Sequence, residues 1–420
     1  MLDREFIIAN RSIIEKTCSV KKTKIDIDKL YSLIDARKQS VNKLNQYREE
    51  KNKLTEEVPK IKKQGGDVKP LLDKSKEISL LIGESEKVLE TAENEMNIIM
   101  SWMPNILEAD VPSGENAVYK TIRERGDFSE KTKNYYDICT ENNYIDFKRG
   151  AKIAASSFPL YMGKGALLER TLINFMLDLH IEKHGYLEVF PPFMVNYNSL
   201  YSTGQLPKME EDMYGLDKGD AMFLIPTAEV PVTNIYNDEI VPEKDLPKKF
   251  VAYSACFRRE AGSYGKDTKG LKRLHQFNKV ELVRYSLPDE SRKAHEEMLE
   301  EAERVLKLLD LSYRVILLPD NDTSFSSAKT YDIEVWAEAS KEFLEVSSVS
   351  NFLDFQARRA NIRYKNREGR NAFIHTLNGS GLATPRTVIA IIEHYQTADN
   401  DFEFPPILKD YMKHGKEIFS

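Results

Sequence analysis

The segment AYSACFRREAGSYGKDTKGLKRLHQFNKVELV, residues 252–283, carries a clear signal of both structure and function. Two otherwise apolar stretches flank a long glycine-rich loop, a pattern that predicts an outgoing and a return strand. Because side chains alternate between the faces of a strand, we expect Arg258 and Glu260 on one face of the outgoing strand. We expect Phe277, Lys279 and Glu281 on one face of the return strand. Charged groups inside apolar strands are costly unless a ligand or partner satisfies them, so this segment predicts a binding site.

Three further segments place polar residues beside apolar strands or helices. They are FLIPTAEVP (223–231) with Thr227 and Glu229, the stretch 336–351 with Glu345-Val-Ser-Ser348, and NGSGLATPRT (378–387) with Arg386 near a helix start. Each piece alone has a structural explanation, such as an exposed cross-strand ion pair. A cation at a helix N-terminus, however, is unfavourable unless an anion is bound. Two arginines, an aromatic ring and several carboxylates together indicate a site for a triphosphate, a metal ion and an ammonium group.

An apolar repeat with spacings of three and four runs through residues 28–103 and predicts two long helices. The stronger seam is Leu71, Ser75, Ile78, Ile82, Ser85, Leu89, Ala92, Met96, Ile99 and Met103; the weaker one is Leu30, Ile34, Val41, Leu44, Tyr47, Leu54, Val58 and Ile61. Since KKQGGDVKP (62–70) is a turn signal, the helices are expected to run antiparallel as an arm roughly 50 Å long. Pro59 is expected to kink or end the first helix just before the tip.

The arm is basic although the chain as a whole is acidic. Residues 37–76 contain 12 basic and 6 acidic side chains, within a chain of net charge -6. A projecting basic surface suits the phosphate backbone of a nucleic acid. A dimerisation or spacer coil is the alternative that the repeat alone leaves open.

Composition excludes several classes of protein. With 420 residues, 41% of them hydrophobic, the chain has material for two or three packed domains and is not a disordered protein. Three widely spaced cysteines, Cys18, Cys139 and Cys256, offer neither a disulfide framework nor a CxxC zinc site, which favours a reducing compartment. No apolar run approaches the ~18–20 residues of a membrane span, and the chain does not start like a signal peptide. We therefore expect a cytoplasmic protein without a membrane contact.

Several common nucleotide, metal and hydrolase motifs are absent from the sequence. It contains no GxGxxG after a strand, no GxxxxGK[ST] and no GxSxG. His180 and His184 stand four apart, but Glu182 is out of register for HExxH, so a satisfied pair on a helix surface is favoured over zinc ligands. No zinc is expected.

The sequence after Pro104 becomes loop-like and predicts a linker at about 104–120. It separates an N-terminal domain, 1–103, from a second domain, 104–420. Strand-like and helix-like stretches then alternate without βαβ regularity, which predicts an α+β fold with an antiparallel or mixed sheet flanked by helices.

These motifs resemble the seryl-tRNA synthetase family, bacterial type, of the class II aminoacyl-tRNA synthetases, over essentially the whole chain. Residues 167–192, ending GYLEVFPP, resemble the first class II motif, which carries the dimer interface; FRRE with HQFNKVEL resembles the second, and GLATPRT the third. The runs TGQLPKMEEDMY, PTAEVPVTN, EVSSVSNFLDFQARRANIRY and LNGSGLA resemble the seryl family rather than class II in general. The resemblance implies a six- or seven-stranded antiparallel sheet flanked by helices and preceded by an antiparallel two-helix coiled-coil arm.

The resemblance also implies roles for single residues. It places Arg258 on the α-phosphate of ATP, Arg386 on the γ-phosphate and Phe277 against the adenine ring. Glu345 with Ser348 would hold Mg²⁺, and the catalytic residues would be Arg258, Arg386 and Glu345. The other implied ATP-binding residues are Arg259, Glu260 on the adenine side, Leu274, Val346 and Ser347, and the implied serine-binding residues are Thr227, Ala228, Glu229, Glu281 and Ser380.

The implied reaction activates L-serine with ATP and Mg²⁺ to seryl-adenylate and transfers the seryl group to the 3′ end of serine tRNA. The arm of a homodimer would bind that tRNA by its shape and backbone, and selenocysteine tRNA would be charged with serine in the same way. A polar pocket rejects alanine because its buried polar groups would lose their partners. The alternatives are a synthetase-like relative that does not charge tRNA and a non-catalytic RNA-binding or coiled-coil scaffold.

The sequence departs from the family pattern in the catalytic domain at three places. Residues 321–325, NDTSF, replace a Gly-Asp-x-Gly-like turn, and the loss of glycines predicts a changed loop near the active site. Ser156-Ser157-Phe158 replaces Ser-Arg-Phe, and Asn134-Tyr135 replaces Asp-His. We expect these two changes to alter linker or dimer contacts rather than the chemistry.

Overall fold

The structure is a computed structural model that describes residues 1–114, 117–121, 132–216, 219, 221–261 and 270–419. The chain divides into two compact units, Leu2–Met103 and Pro104–Ser420, the latter together with Met1. Residues 262–269 of the predicted glycine-rich loop and residues 115–116 of the predicted linker lie outside the described residues. Within the described ranges, no helix is both long and apolar enough to cross a membrane.

The first unit consists of helices. They are α1 (Arg4–Ala9), α2 (Arg11–Val20), α3 (Ile27–Lys63) and α4 (Lys69–Ser101). Helix α3 begins where the Asp26 side chain accepts a hydrogen bond from the backbone N–H of Lys29, which satisfies one of the free donors of the first turn. Helices α3 and α4 run antiparallel, since Lys29 pairs with Glu95 and Arg48, further along α3, pairs with Glu86.

The predicted apolar seam forms the contact between α3 and α4. Its buried side chains include Leu30, Leu44, Leu54, Ile78, Ala92 and Met96. Burial of this seam stabilises the pair, whereas the exposed ion pairs along it contribute about 0–1 kcal/mol each. Helix α3 continues through Pro59 to Lys63 and therefore does not end before Pro59. A proline near the last turn removes only one backbone hydrogen bond, which the packed helix pair tolerates.

The second unit alternates strands and helices. In chain order they are β1 (Ala117–Thr121), α5 (Tyr135–Glu141), β2 (Ile145–Asp146), α6 (Phe147–Ile153), β3 (Leu160–Tyr161), α7 (Gly163–His184), β4 (Leu187–Glu188), β5 (Met194–Asn196), α8 (Tyr197–Thr203), β6 (Met222–Leu224), α9 (Glu229–Thr233), β7 (Ile240–Pro242), β8 (Lys248–Phe257), β9 (Gln276–Ser286), α10 (Ser291–Leu308), β10 (Tyr313–Leu317), β11 (Lys329–Ala337), β12 (Glu342–Asn351), α11 (Phe355–Ala360), β13 (Arg363–Lys365), β14 (Asn371–Phe373), β15 (His375–Ala383), α12 (Thr384–His394) and α13 (Pro406–His414).

An eight-stranded sheet with the order β1-β10-β11-β12-β15-β9-β8-β4 forms the centre of this unit. Neighbouring strands are antiparallel, except that β4 pairs parallel with β8. The sheet has one strand more than the upper end of the expectation, because the two-residue strand β4 adds to the edge of β8. The antiparallel sheet flanked by helices is confirmed.

The central strand β9 presents different residues to the two faces of the sheet. Val280 and Leu282 belong to the main hydrophobic core, together with side chains from α7, α10 and α12. Lys279 and Glu281, which alternate with these two residues along the strand, project onto the other face. That face is covered in part by a smaller apolar core that includes residues of α9 and α11. The helices thus leave room for a site where the polar residues of β9 project.

Helix α7 ties together the two segments that carry the arginines of the predicted site. Glu169 is buried, and its Oε1 accepts a hydrogen bond from Asn278 Nδ2 of β9 at 2.8 Å. The same oxygen accepts a hydrogen bond from the hydroxyl of Thr384, the first residue of α12. The position of Arg386, two residues further on, therefore depends on α7.

Helix α6 approaches the chain after it closely at Gly150. A Cβ atom at this position would lie 2.0 Å from the carbonyl oxygen of Phe158. Because the backbone would have to move, Gly150→Ala is expected to destabilise the protein by about 1–3 kcal/mol and to lower its unfolding temperature in scanning calorimetry. Gly83→Ala in α4, which meets no atom within 4 Å, is the control and is expected to stabilise its helix by about 0.5–1 kcal/mol. An unchanged unfolding temperature for Gly150→Ala would contradict this packing.

Candidate active site

A cavity of about 690 Å³ opens above the polar residues of β9. Twelve of the sequence-predicted residues line it: Thr227, Glu229, Arg258, Glu260, Leu274, Phe277, Glu345, Val346, Ser347, Ser348, Ser380 and Arg386. Three others lie outside the lining. Ala228 is buried in the smaller apolar core. Arg259 is exposed, and its backbone N–H donates to the carbonyl oxygen of Asp212. Glu281 is fully buried beneath the cavity.

Glu281 holds the floor of the cavity together. Its fully buried carboxylate accepts hydrogen bonds from Thr227 Oγ1 at 2.5 Å and from Asn378 Nδ2 at 2.7 Å. The ammonium of Lys279, two residues earlier on the same face, pairs with this carboxylate and also donates to Thr227 Oγ1 at 2.9 Å. Removing one partner of such a buried pair costs about 3–5 kcal/mol. Glu281 therefore acts on the cavity through Thr227 and Asn378.

Glu229 brings a second carboxyl group to the same end of the cavity. It opens α9 and is 7% exposed, and its Oε1 accepts a hydrogen bond from Gln356 Nε2 at 2.6 Å. Burial, followed by the nearby charge of Glu281, raises the pKa of Glu229 to about 7. A ligand with an ammonium group would favour the ionised form, because an opposite charge stabilises a carboxylate.

Arg258 and Phe277 lie next to each other in the lining of the cavity. Strand β8 ends at Phe257, so the prediction that Arg258 and Glu260 share a strand face is wrong; the backbone turns, with Glu260 at φ 51°. The Arg258 guanidinium lies 5.2 Å from the centre of the Phe277 ring. Its Nε donates to the carbonyl oxygen of Pro226 at 3.3 Å. A planar cation held beside a ring at a cavity edge can bind phosphate oxygens next to a stacked base.

Arg386 occupies the first turn of α12, where its charge opposes the helix dipole. Its Nη1 donates to the carbonyl oxygen of Glu345 at 2.8 Å and lies 3.5 Å from the carboxylate Oε2 of the same residue. Its Nε donates to the carbonyl oxygen of Lys272 at 3.2 Å. A guanidinium held at the positive end of a helix and lining a cavity forms an anion-binding site.

Oxygen groups suited to a hard cation lie next to Arg386. Glu345 and Ser348 line the cavity, and Asp332 of β11 stands opposite Ser348 in the strand register. Burial, followed by the charge of Glu345, raises the pKa of Asp332 well above its ordinary value. Asp332 Oδ1 is buried and has no hydrogen-bond partner in the part of the chain that the structure describes. An unsatisfied carboxylate oxygen beside a second carboxylate fits Mg²⁺, which prefers oxygen ligands.

No group of three or more His, Cys, Asp or Glu residues that could hold a metal ion occurs among the described residues. A magnesium ion at this place would therefore complete its coordination with substrate oxygens and water, as Mg²⁺ does when it binds with phosphates.

Three residues of the site were missed by the sequence analysis: Asp332, Gln356 and Asn378. Asp332 and Asn378 lie on strands that the stretches YDIEVW and LNGSG indicate in the sequence. The sequence does not show which face of each strand meets the cavity, because this depends on the register of the sheet. Gln356 comes from the short helix α11, and its contact with Glu229 joins residues 127 positions apart. No local pattern predicts such a contact.

The two segments before α7 that depart from the family pattern contact residues next to the cavity. The Phe158 ring stacks on His275 with centroids 5.5 Å apart, and His275 Nδ1 lies 3.0 Å from the carbonyl oxygen of Arg258. The Tyr135 hydroxyl accepts a backbone hydrogen bond at 2.8 Å from Leu271, which lines the cavity. Both segments thus contact residues next to the cavity, and the expectation that the two sequence changes alter linker or dimer contacts rather than the chemistry stays a prediction.

His180 and His184 are not a surface pair. His180 is fully buried, because α7 packs against both the sheet and other helices, and its Nδ1 lies 2.9 Å from Nδ1 of His184. Burial, followed by the charge of His184, lowers the pKa of His180 to about 3. His180 is thus a neutral core residue.

Comparison with known families matches both units. Residues 210–395 match the model of the tRNA synthetase class II core domain (G, H, P, S and T), and residues 1–107 match the seryl-tRNA synthetase N-terminal domain. A serine–tRNA ligase from Chloroherpeton thalassium is 47% identical, covering 98% of this chain and 99% of that protein. One from Caldicellulosiruptor saccharolyticus is also 47% identical, with the same coverage.

Solved structures resemble the whole chain as well. The crystal structure of a seryl-tRNA synthetase from Pyrococcus horikoshii complexed with ATP matches with a TM-score of 0.93 and 33% identity over 98% of both chains. A cytoplasmic serine–tRNA ligase from Naegleria fowleri in complex with AMP matches with a TM-score of 0.87 and 25% identity, again over 98% of both chains.

Proposed function

Since the chain belongs to the seryl-tRNA synthetase family, we propose that the cavity above β9 is where it activates L-serine with ATP and transfers the seryl group to tRNA. The enzyme is a serine–tRNA ligase that forms AMP and pyrophosphate. One observation carries the assignment of the site: a single cavity is lined by two arginines and by the buried carboxyl group of Glu229, with the carboxylate of Glu281 beneath it. This arrangement suits a polyphosphate and an amino acid that react with each other.

In the first step a carboxylate oxygen of serine forms a bond to the α-phosphorus of ATP, and the bond from this phosphorus to the bridging oxygen breaks. Arg258 would bind the α-phosphate and Arg386 the γ-phosphate, while Phe277 stacks on adenine. Fixed cations that neutralise the developing charge accelerate this step, and no covalent enzyme intermediate is needed. The pyrophosphate leaves with its negative charge neutralised.

Serine would lie above the floor held by Glu281. Glu229 would accept hydrogen bonds from its ammonium, and Thr227 and Ser380 would contact the remaining polar groups. In the second step the 3′-terminal ribose hydroxyl of tRNA forms an ester bond to the seryl carbonyl carbon, and AMP leaves. A free amino acid retains its ammonium throughout, so a buried carboxylate can hold it in both steps.

Mg²⁺ fits the oxygen groups of Glu345 and Ser348. When bound with ATP it neutralises phosphate charge and orients the leaving pyrophosphate. Glu345 also contacts Arg386 and thereby fixes its guanidinium at the N-terminal end of α12.

The arm of α3 and α4 would bind serine tRNA through its basic residues. Lys60, Lys62 and Lys63 lie exposed in the last turn of α3, at the end of the helix where cations are favourable. Exposed lysines bind a phosphate backbone largely without reading sequence. Selenocysteine tRNA would be charged with serine by the same contacts.

A homodimer is proposed through the segment after α7. Leu187, Phe190 and Met194 expose 63%, 76% and 48% of their surface. Exposed apolar residues close together in sequence are typical of an interface. The cytoplasm is the proposed compartment, because the ATP and tRNA used in protein synthesis are found there.

The function is tested by serine-dependent exchange of labelled pyrophosphate into ATP in the absence of tRNA. We expect Mg²⁺-dependent exchange with serine, and exchange with alanine lower by about 10⁴-fold, since alanine leaves the polar groups of the pocket unpaired. Threonine and glycine serve as further controls. Absence of exchange with all four amino acids, or equal exchange with alanine, would contradict the proposal.

The pKa of Glu229, raised to about 7, predicts how serine activation depends on pH. Between pH 6 and pH 8 the ionised fraction of such a group rises about tenfold, so kcat/KM for serine in pyrophosphate exchange is expected to rise about tenfold. Glu229→Gln, which removes the titrating group, is expected to give a low and flat profile. A flat wild-type profile in this range would show that Glu229 does not bind the serine ammonium through its ionised form.

Shortening the arm separates tRNA binding from activation. Replacing residues 45–87 by a short Gly-Ser turn removes most of the basic surface but keeps the base of the helix pair. Pyrophosphate exchange is expected to stay within about twofold of wild type, while charging of serine tRNA falls by about 100-fold or more, because several phosphate contacts are lost. Equal loss of both activities would mean that the arm supports the catalytic unit itself.

A further inference from the structure

Gln356 is a fully buried polar residue of α11 whose side chain forms hydrogen bonds with three other elements. One of its partners is Glu229, which lines the proposed serine site. Its Nε2 donates to Glu229 Oε1 at 2.6 Å and to the carbonyl oxygen of Thr203 at 3.2 Å. Its Oε1 accepts a hydrogen bond from Thr376 Oγ1 of β15 at 2.7 Å. The side chain thus connects α8, α9 and β15 through one amide.

The orientation of this amide follows from its neighbours. The carbonyl oxygen of Thr203 can only accept a hydrogen bond, and the carboxylate of Glu229, when ionised, can only accept one. The atom between them must therefore be the donating nitrogen, which leaves the amide oxygen facing the Thr376 hydroxyl. Because all three hydrogen bonds are buried, the Gln356 amide cannot turn over without leaving polar groups unsatisfied.

We propose that Gln356 is a positioning residue for serine: it holds the Glu229 carboxylate in place for the substrate ammonium and favours its ionised form. This inference rests on the proposed function of the cavity. Gln356 does not touch the reacting atoms and acts only through Glu229.

The charges around Glu229 explain why it needs such a donor. Glu281 of β9 opposes its ionisation, while Lys279 of β9 and Arg258 after β8 favour it. The two cations have other contacts, since Lys279 pairs with Glu281 and Arg258 bonds to Pro226. The hydrogen bond from Gln356, by contrast, is made to the Glu229 carboxylate itself.

The effect should be confined to serine. The arginines and the oxygen groups proposed for ATP and Mg²⁺ lie on β12, α12 and the segment after β8. The hydrogen bonds of Gln356 run instead to α8, α9 and β15. Loss of its amide therefore predicts a change in the KM for serine and not in the KM for ATP.

The test is pyrophosphate exchange with the full-length Gln356→Met variant, which keeps the side-chain volume and removes the amide. The KM for serine at pH 7 is expected to rise by about 10- to 100-fold, the range for a lost hydrogen bond to a charged group. The KM for ATP is expected to stay within about twofold. Since Glu229 would then ionise at higher pH, the rise of kcat/KM for serine should shift to higher pH as well.

Gln396→Met is the matched control. Gln396 is partly buried, and its side-chain amide forms hydrogen bonds with the backbone N–H and carbonyl oxygen of Lys133, which does not line the cavity. This variant should leave the KM for serine and the pH profile unchanged. Thr376→Val, which removes only the hydroxyl that orients Gln356, should raise the KM for serine in the same direction by a smaller factor, and it decides the question if Gln356→Met does not fold.

The outcomes separate the two proposals. Wild-type enzyme without serine-dependent exchange would overturn the proposed function itself. Wild-type exchange with an unchanged KM for serine and an unshifted pH profile in Gln356→Met, or in Thr376→Val if the first variant does not fold, would overturn only the role of Gln356. An equal rise of both KM values would also overturn it, because a general disturbance of the fold does not discriminate between substrates.

Discussion

The ion pair of Lys279 and Glu281, buried on one face of the central strand, is the constraint on which the site depends. Two charges two residues apart on β9 cannot be left without partners in the interior. Thr227 and Asn378 supply the missing hydrogen bonds, and each belongs to a different segment. The segment before α9 and the strand β15 are thereby drawn to β9. The cavity is the space that remains above this satisfied cluster.

The other face of the sheet fixes the register of β9. Val280 and Leu282 pack into a core shared by α7, α10 and α12, so the strand cannot shift by one residue without exchanging its apolar and charged faces. Glu169 of α7 adds a polar link to Asn278 and to Thr384 at the start of α12. The register of β9 and the position of Arg386 are thus set from the face of the sheet opposite the cavity.

Local pattern accounts for much of this architecture. The apolar repeat predicts the antiparallel helices because their seam is continuous, and alternation predicts which residues of β9 share a face. Alternation fails at Arg258 and Glu260, since the strand ends at Phe257 and the backbone turns. Gln356 and Asp332 could not be predicted, because their places in the site depend on contacts between segments far apart in sequence. The burial of His180 could not be predicted either, since it depends on how many sides of α7 are covered.

The arrangement of charges in the site carries electrostatic costs that the proposed substrates would relieve. Arg386 stands at the positive end of α12, and Asp332 faces the charge of Glu345. The pKa of Glu229 is raised to about 7, so that its ionised form is disfavoured. A polyphosphate would stabilise the first, a divalent cation the second and an ammonium the third. Because Glu345 contacts Arg386 and its charge raises the pKa of Asp332, the proposed binding of the cation and of the phosphates would be coupled through this one side chain. The proposed serine site has separate carboxyl groups around Glu229, so the affinity for serine would be altered by a change at Gln356 without disturbing the proposed ATP site.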